Sequence, residues 1–246
     1  MKTTGNTILI TGGSAGMGLE MARQFVANGN KVIITGRDEK RLQAAASQLG
    51  DVTAIVFDVT KESDVNNLIK RIESDFPDLN ILVNNAGQAY AYNLLEEDDV
   101  YGKASHEMQT NYLSVIRITE KLLPLLRNQE DSAIINVSSI AVFAPNAYIS
   151  TYSATKAALH SYTQSLRLAL SGTSVKVFEL MPPLVNTDFS TEIGGEKGIA
   201  PSVVADDVMD ALANDRLEIR TGATEDIYRL SLADPEMAFK VMNSIA

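Results

Sequence analysis

The chain lacks two residue types and is poor in a third: among its 246 residues there is no cysteine, no tryptophan and only two histidines. Without cysteine the protein has no disulfide framework, no thiolate catalysis and no cysteine-type zinc site. His106 and His160 are far apart and have neighbours that do not ligate metals. The sequence therefore does not predict a metal centre.

Basic residues are fewer than acidic ones. Lysine and arginine together number 21 against 31 aspartates and glutamates, which gives a formal net charge of -10. This balance argues against a nucleic-acid surface, which needs a clustered basic face. It does not exclude a small anionic ligand, because backbone amides and one or two basic groups can hold one.

Long hydrophobic runs are also missing. No apolar stretch approaches the length needed to span a bilayer, and the first residues lack the apolar core of a signal peptide. We therefore expect a soluble, cytoplasmic protein with no membrane partner. A chain of 246 residues, 45% of them hydrophobic, is long enough for one large domain or two small ones.

Short apolar segments alternate with segments of helical periodicity along the chain. The predicted strands are residues 7–11, 31–35, 52–57, 81–83, 133–137, 175–180 and 217–220. The predicted helices are residues 19–26, 39–49, 62–76, 103–126, 151–170 and 203–213, followed by a terminal helical region. This alternation predicts repeated βαβ units and a parallel sheet with helices on both faces.

A glycine-rich turn connects the first predicted strand to the first helix. Gly12, Gly16 and Gly18 would let backbone amides approach a pyrophosphate at the helix N-terminus, where the helix dipole favours negative charge. The spacing differs from the common G-x-G-x-x-G form, and a glycine cluster can also be only a tight turn. Its place after the first strand favours dinucleotide binding.

With this turn the predicted fold becomes specific: an α/β, Rossmann-type, doubly wound parallel sheet of about seven strands with helices on both faces, in three α/β/α layers. We expect a single NAD(P)-binding domain over residues 1–246. Residues 185–201, rich in glycine and polar groups, are expected to form a flexible substrate loop.

The end of the second strand bears on cofactor choice. Folds that prefer NAD place an acidic residue there, whereas this strand ends in Thr35-Gly36-Arg37. Arg37 could pair with a 2′-phosphate, which favours NADP over NAD. Asp38 could weaken that preference, and Arg37 could also be an ordinary surface arginine.

Tyr152 and Lys156 are one turn apart on a predicted helix, which puts both side chains on one face. A phenol normally titrates near pH ~10, and a nearby ammonium favours the phenolate. The two residues could therefore act as an acid/base pair. The alternative is a half-buried helix aromatic beside a solvated lysine.

Taken together, these motifs resemble those of the short-chain dehydrogenase/reductase family. The matching segments are residues 11–18, Asn84-Asn-Ala-Gly87, Asn111, Ser138-Ser139 and Tyr152-x-x-x-Lys156, and they run in order from residue 7 to about residue 190. Each is weak alone, but five in register are specific. The resemblance implies an NAD(P)-dependent oxidoreductase that transfers a hydride between nicotinamide and a carbonyl or secondary alcohol.

The resemblance also implies residue roles. Tyr152 would exchange a proton with the substrate oxygen, and Lys156 would lower the Tyr152 pKa and bond the nicotinamide ribose. Ser139, rather than Ser138, would polarise the carbonyl, and Asn111 would hold a water that relays protons to Lys156. The implied cofactor contacts are Gly12, Ser14, Gly16, Met17, Gly18, Arg37, Asp58, Val59, Asn85, Ala86, Gly87, Tyr152, Lys156, Val185 and Thr187.

One departure from the family pattern is Pro183, which stands where glycine is common and removes an amide donor. A double proline occurs in a subset of the family that resembles DltE-like oxidoreductases. The expected substrate is a small molecule, a medium-sized carbonyl compound or a secondary alcohol. The candidate substrate contacts, several of which could simply be packing residues, are Gln88, Tyr90, Tyr92, Ala141, Val142, Phe143, Tyr148, Met181 and Phe189.

The expected assembly is a homodimer or a homotetramer. In the family, the helices that hold Asn111 and Tyr152 commonly form the interface, and here they carry apolar residues. These are Leu122, Leu123, Leu159, Leu166 and Leu170. Two other functions stay open for the chain: a non-catalytic protein that senses nicotinamide, and an enzyme of the same fold that epimerises or dehydrates its substrate.

Overall fold

The computed structural model describes residues 1–245, and its framework is a sheet of seven strands in the order β3-β2-β1-β4-β5-β6-β7. Every pair of neighbouring strands is parallel. The strands are β1 (Thr7–Ile10), β2 (Lys31–Gly36), β3 (Val52–Val56), β4 (Leu79–Asn84), β5 (Ser132–Val137), β6 (Val175–Met181) and β7 (Glu218–Arg220). The predicted α/β fold is confirmed. The expected domain runs to residue 246, which lies outside the described residues.

Nine helices connect or follow these strands within residues 1–245. They are α1 (Gly16–Ala27), α2 (Glu39–Leu49), α3 (Glu62–Asp75), α4 (Val100–Met108), α5 (Ser114–Arg127), α6 (Ser150–Ala169), α7 (Pro201–Ala213), α8 (Ala223–Ala233) and α9 (Pro235–Met242). Helices α1, α2 and α7 contribute to the core on one face of the sheet, and α3 and α5 contribute to the core on the other.

The central strands are apolar at successive positions because both of their faces are buried. In β1, Ile8 and Ile10 pack into one core, while Leu9 between them packs into the other. Successive side chains of a strand point to opposite faces, so a sheet covered on both sides needs apolar residues throughout. This explains why the strands show no hydrophobic alternation in the sequence.

The predicted helix over residues 103–126 is interrupted. A π-helical segment, Gln109–Leu113, separates α4 from α5. Within it, Thr110 and Asn111 are buried, while Leu113 is exposed. Short π-helical segments are frequent at functional sites, and this one carries Asn111.

The strand order places a crevice at one edge of the sheet. β1 lies between β2 and β4. The chain adds β2 and β3 on one side of β1 and then crosses over to add β4 on the other side. In such sheets ligands bind outside the carboxyl ends of the strands, at the point where the strand order reverses. The glycine-rich turn after β1 lies at this point.

The segment between β6 and α7 has regular structure in two 3-10 turns, Asp188–Ile193 and Gly195–Lys197. Its ends are held together, because the Asn186 N–H donates to the Ile199 carbonyl at 2.8 Å. The Ser190 hydroxyl donates to the Val185 carbonyl at 2.5 Å. The flexibility expected for residues 185–201 stays a prediction.

The leucines expected at a dimer interface mostly lie elsewhere. Leu122, Leu159 and Leu170 are buried within the chain itself, and Leu123 and Leu166 pack partly against the same core. An interface position is therefore wrong for Leu122, Leu159 and Leu170, which are buried within one chain, and it stays a prediction for Leu123 and Leu166, which remain partly exposed. Among the helices of residues 1–245, none has both the length and the apolar character that crossing a membrane requires.

Candidate active site

A cleft of about 660 Å³ opens at the carboxyl ends of the strands. Its walls come from six parts of the chain: the glycine-rich turn, the ends of β2 and β3, the loop after β4, the end of β5 with α6, and the segment before α7. From the expected cofactor contacts it brings together Gly12, Ser14, Gly16, Met17, Gly18, Arg37, Asp58, Val59, Asn85, Ala86, Gly87, Tyr152, Lys156 and Thr187.

The turn after β1 is shaped by glycine. Gly12 has a φ of +67°, and a Cβ there would lie 3.0 Å from the Ala86 Cα. At Gly18 a Cβ would collide with the carbonyl oxygen of Gly12. Side chains at these positions would therefore push the turn away from the loop after β4. The glycines leave bare main chain at the N-terminus of α1, which fits a pyrophosphate.

Thr11 and Asn85 fasten the loop after β4 to this turn. The Thr11 hydroxyl accepts hydrogen bonds from the Asn85 and Ala86 N–H groups, at 3.0 and 3.1 Å. The Asn85 side-chain amide donates to the carbonyls of Thr11 and Gly12, at 2.9 and 3.0 Å. These bonds hold the loop after β4 against the glycine-rich turn. Thr11 was not among the expected site residues.

Two arginines stand at the end of β2. Arg37 and Arg41 both line the cleft, and both are exposed at its mouth. Asp38 between them accepts the Arg41 N–H at 2.9 Å and thereby caps α2. Its carboxylate is therefore already engaged. The two guanidiniums line the cleft, and that of Arg41 is paired with the Asp188 carboxylate at 2.6 Å. Arg41 was missed in the sequence, although its helical spacing from Arg37 was visible.

The residues after β3 line the wall beside these arginines. Asp58 accepts hydrogen bonds from the N–H and hydroxyl of Thr60, at 3.0 and 2.7 Å. Burial acts to raise the pKa of Asp58, but these bonds and the charges of Lys61 and Arg37 outweigh it and lower that pKa. Asp58 is therefore an ionised acceptor at neutral pH.

Tyr152 and Lys156 lie side by side on α6, as the spacing predicted. Tyr152 is 9% exposed and Lys156 is 4% exposed. The Lys156 ammonium lies 5.5 Å from the centroid of the Tyr152 ring and donates to the Val137 carbonyl at 2.7 Å. The reading as a surface lysine beside a helix aromatic is therefore wrong.

The pKa values of this pair correct one expectation. Burial raises the pKa of Tyr152 to about 12, although a hydrogen bond with Ser139 acts to lower it, and Glu107 raises it further. Burial also lowers the pKa of Lys156 to about 8, against the attraction of Glu179. Lys156 was expected to lower the phenol's pKa. In this chain the direction of the shift is set chiefly by the burial of Tyr152 instead.

The two serines after β5 have different partners. The Ser138 hydroxyl donates to the Glu179 carboxylate at 2.5 Å. The Ser139 hydroxyl accepts the Ala141 N–H at 3.2 Å and lies beside Tyr152. Ser138 lines the cleft, but its hydroxyl is engaged by Glu179, and Ser139 is the serine beside Tyr152. The expected preference for Ser139 over Ser138 stays a prediction.

Asn111 lies fully buried behind the cleft. Its side-chain oxygen accepts the Gln88 N–H at 2.8 Å, and its amide donates to the Gln88 carbonyl and the Thr155 hydroxyl, at 2.8 and 2.9 Å. The side chain thus ties the loop after β4 to α6. The side chain has three partners, which leaves one acceptor position on its oxygen, and the water relay stays a prediction.

After β6 the two expected contacts differ. Thr187 lines the cleft and caps the 3-10 turn that follows it. Val185 does not line the cleft, because its side chain is buried in the core. The expected cofactor contact at Val185 therefore has no support from its side chain and stays a prediction.

The expected substrate contacts also fall into two groups, those that line the cleft and those that do not. Gln88, Tyr90 and Phe189 line the cleft, and the Phe189 ring centroid lies 6.1 Å from that of Tyr152. Phe143 instead packs against the rings of His160 and Tyr228. Of the remaining candidates, Tyr92, Ala141, Val142, Tyr148 and Met181 are not among the lining residues.

Glu107 was missed in the sequence. It is buried one turn before Asn111, and it accepts the Tyr90 N–H at 2.8 Å. Burial raises the pKa of its carboxyl group. Its helical spacing from Asn111 was the only available signal, and that spacing is equally typical of a solvated helix face.

Comparison with known proteins gives matches over most of the chain. Residues 6–198 match the sequence model of the short chain dehydrogenase family. An uncharacterized oxidoreductase, DltE of Bacillus subtilis (strain 168), is 35% identical over 99% of both chains. An NADP-dependent 3-hydroxy acid dehydrogenase, YdfG of Salmonella typhi, is 36% identical over 75% of both chains. A short chain dehydrogenase from Burkholderia cenocepacia J2315, solved in complex with NADP, has a TM-score of 0.88 at 26% identity and covers 98% of this chain and 99% of its own.

Proposed function

The chain belongs to the short chain dehydrogenase family, and we propose that it is an NADP-dependent oxidoreductase acting on a carbonyl or secondary alcohol. In this proposal Tyr152 is the general acid or base. The observation that carries it is the buried Tyr152–Lys156 pair beside Ser139, in a cleft whose far end carries Arg37 and Arg41.

The cofactor end of the cleft would hold NADP through main chain and guanidinium groups. The glycine-rich turn with Ser14 and Met17 would take the pyrophosphate, and Asp58 and Val59 would contact the adenine. Asn85, Ala86 and Gly87 would line the adjoining ribose, and Thr187 would contact the nicotinamide. When bound, the nicotinamide supplies or accepts the hydride.

The preference for NADP has two supports. At the end of β2 the Asp38 carboxylate caps α2, whereas Arg37 and Arg41 both line the cleft, Arg41 in an ion pair with Asp188. Guanidinium groups match phosphate geometry with paired hydrogen bonds. In addition, the printed name of the YdfG relative describes an NADP-dependent enzyme.

The catalytic residues would act on the substrate oxygen. A carbonyl that is being reduced develops negative charge there, and preorganised hydroxyl donors stabilise that charge most in the transition state. Tyr152 and Ser139 would be these donors. With a pKa of about 12, Tyr152 carries its proton at neutral pH and can deliver it as the charge develops. The ammonium of Lys156 would stabilise the phenolate that remains and bond the nicotinamide ribose.

The substrate class follows from the residues around Tyr152. Tyr90 and Phe189 offer aromatic surface, and Gln88 offers an amide. We propose a medium-sized carbonyl compound or secondary alcohol as substrate. We also propose a cytoplasmic homodimer or homotetramer, since symmetric assemblies are the commonest among soluble oligomers.

The test is the Tyr152→Phe variant, assayed with NADPH on a panel of ketones and, in reverse, with NADP on secondary alcohols. We expect turnover to fall by about 10²–10⁴-fold, as for the loss of a general acid. Cofactor binding, measured by NADPH fluorescence, should be retained. Tyr162→Phe, on the same helix but outside the cleft, should turn over normally.

Three outcomes would contradict the proposal. Normal turnover by Tyr152→Phe would remove Tyr152 from the mechanism. Cofactor binding by the unmodified chain without turnover of any panel member would favour the sensing function. Substrate conversion without net consumption of NADPH would favour epimerisation or dehydration.

A further inference from the structure

A row of polar side chains crosses the sheet beneath the catalytic pair. Asn84, Asn136, Glu179 and Glu218 are register partners on the four neighbouring strands β4 to β7. They face the helices: Asn84 donates to Thr119 of α5, at 3.3 Å. The others bond α6, through Thr163, His160 and Arg167 respectively. Most residues on this face are apolar, so the row is a distinct polar layer.

Glu179 is the one member of the row that is both charged and fully buried, with an exposure of 0%. One carboxylate oxygen accepts the Ser138 hydroxyl at 2.5 Å, and both oxygens lie 2.9 Å from Nδ1 of His160. An isolated buried carboxylate is costly unless it is paired and hydrogen-bonded, and here it is both. None of these groups has a part in the function proposed above.

This cluster borders Lys156 from two sides. His160 is one turn after Lys156 on α6, so both side chains lie on one face of the helix. Ser138, which holds Glu179, directly follows Val137, whose carbonyl holds the Lys156 ammonium at 2.7 Å. The carboxylate and the ammonium are thus fixed on the same short piece of backbone at the end of β5.

We propose that Glu179 is a positioning residue that keeps Lys156 in its ammonium form, while Ser138 and His160 hold the carboxylate in place. The consequence of this role for catalysis rests on the function proposed above. Without this carboxylate the enzyme would lose its active protonation state at a lower pH.

The physical reason is that burial and charge act against each other at Lys156. Burial lowers its pKa to about 8, and the charge of Glu179 raises it. Removing Glu179 leaves the burial unopposed, so the ammonium would lose its proton at lower pH.

His160 adjusts the same balance. Its pKa is raised, chiefly by the hydrogen bond with Glu179. As the pH falls and His160 becomes positively charged, its charge offsets the negative charge of Glu179. The effect of Glu179 on the Lys156 pKa is then weaker. The other charged groups near His160 are Glu218 of β7 and Arg167 of α6, which are paired with each other at 3.3 Å. Gln164 and the ring of Phe143 complete its surroundings.

The experiment measures the titration of Lys156 directly. Protein labelled with ¹³C at the lysine ε-carbon gives one NMR resonance per lysine, and the Lys156 resonance is the one missing in Lys156→Met. We expect Glu179→Gln to lower the titration midpoint of Lys156 by about one pH unit. The alkaline limb of the kcat/KM profile, which reports the free enzyme, should move to lower pH by the same amount. Glu179→Asp, which keeps the charge, should restore most of the midpoint.

The matched control is Glu218→Gln. Glu218 has the same register on the neighbouring strand, but it bonds Arg167 and Arg220 instead of the cluster around Lys156. Its removal should leave the Lys156 midpoint in place. An equal shift in both variants would mean a general field effect and would overturn the proposal, as would an unchanged midpoint in Glu179→Gln.

Should Glu179→Gln fail to fold, the unmodified chain still provides a test. Because Lys156 and His160 flank one carboxylate, their titrations should be coupled, and the Lys156 resonance should show a second inflection at the midpoint of His160. Absence of that inflection would overturn the proposal. The NMR result is independent of turnover, so it can fail while hydride transfer is demonstrated, or hold while hydride transfer is not.

Discussion

The two ends of the cleft differ in what faces the ligand. At one end, here called the glycine end (residues 12–18 and 36–41), bare main chain and two exposed guanidiniums line the wall. At the other, the tyrosine end (Ser139, Tyr152 and Lys156), the groups are buried side chains. Behind them lies the polar row with Glu179, whose partners Ser138 and His160 come from the end of β5 and from α6.

This difference separates two physical tasks. A pyrophosphate can be held by backbone amides and the helix dipole, which are present in any chain that makes the turn. Proton transfer instead needs pKa values that are set by burial and by neighbouring charges. The glycine end is therefore expected to control cofactor affinity, and the tyrosine end is expected to control the rate and its pH dependence.

The largest effect is expected for Lys156→Met at the tyrosine end. This variant removes the ammonium that stabilises the Tyr152 phenolate, so kcat should fall by about 10²–10⁴-fold. Lys156 should also make the unfolding free energy depend on pH. Because burial lowers the Lys156 pKa from 10.5 to about 8, the unfolded chain binds an extra proton between these values. The unfolding free energy of the unmodified chain should therefore rise with pH from about 8 to 10.

Denaturant unfolding at several pH values measures this, and the difference between the two proteins isolates Lys156. Lys156→Met should lose the rise between pH 8 and 10. Lys121→Met, at an exposed position on α5, should change neither kcat nor the pH dependence. If the rise persists without Lys156, burial does not set its titration, and the distinction between the two ends fails.

A smaller effect, confined to cofactor binding, is expected for Arg37→Ala at the glycine end. If Arg37 holds the 2′-phosphate, the KM for NADPH should rise about tenfold, the usual range for one exposed charge-assisted hydrogen bond. The KM for NADH and the kcat should not change. Lys40→Ala, at an exposed position of α2 that does not line the cleft, is the matched control. An equal rise in the KM for NADH would mean that Arg37 contacts a part of the cofactor that NADPH and NADH have in common.

The sequence predicted the glycine end better than the tyrosine end, and the reason is distance along the chain. The glycine turn and Arg37 are contiguous stretches whose chemistry can be read from neighbouring residues. Tyr152 and Lys156 were also found, because helical spacing alone puts them together. Their pKa values were not, since these depend on burial and on Glu107 and Glu179, which are far away in sequence.

The interrupted helix shows the same limit. Apolar residues continue at helical spacing across residues 103–126, and this pattern predicted one continuous helix with its leucines at an interface. In the structure a π-helical segment buries Asn111 and exposes Leu113. Asn111 can be buried because Gln88 and Thr155 satisfy its side chain. Periodicity cannot show partners so distant in sequence. The parallel sheet with helices on both faces, in contrast, followed directly from the βαβ alternation.

The smallest effect is expected at Asp188, which connects the glycine end to the segment before α7. Its carboxylate pairs with the Arg41 guanidinium at 2.6 Å, and both groups are about half exposed or more. An exposed pair of this kind is worth about 0–1 kcal/mol. Asp188→Asn should release Arg41 for the 2′-phosphate, so that the KM for NADPH falls about two- to threefold and the KM for NADH stays constant. The gain should disappear at high salt, because screening weakens the exposed pair in the unmodified chain as well.

Glu192→Gln, on the same segment and also lining the cleft, is the control, because it removes a carboxylate without touching Arg41. The opposite result for Asp188→Asn would be equally informative. If NADPH and NADH both bind more weakly, the ion pair serves to hold residues 188–193 over the cleft. Arg41 would then serve to hold this segment over the cleft, and Arg37 alone would account for the preference for the 2′-phosphate.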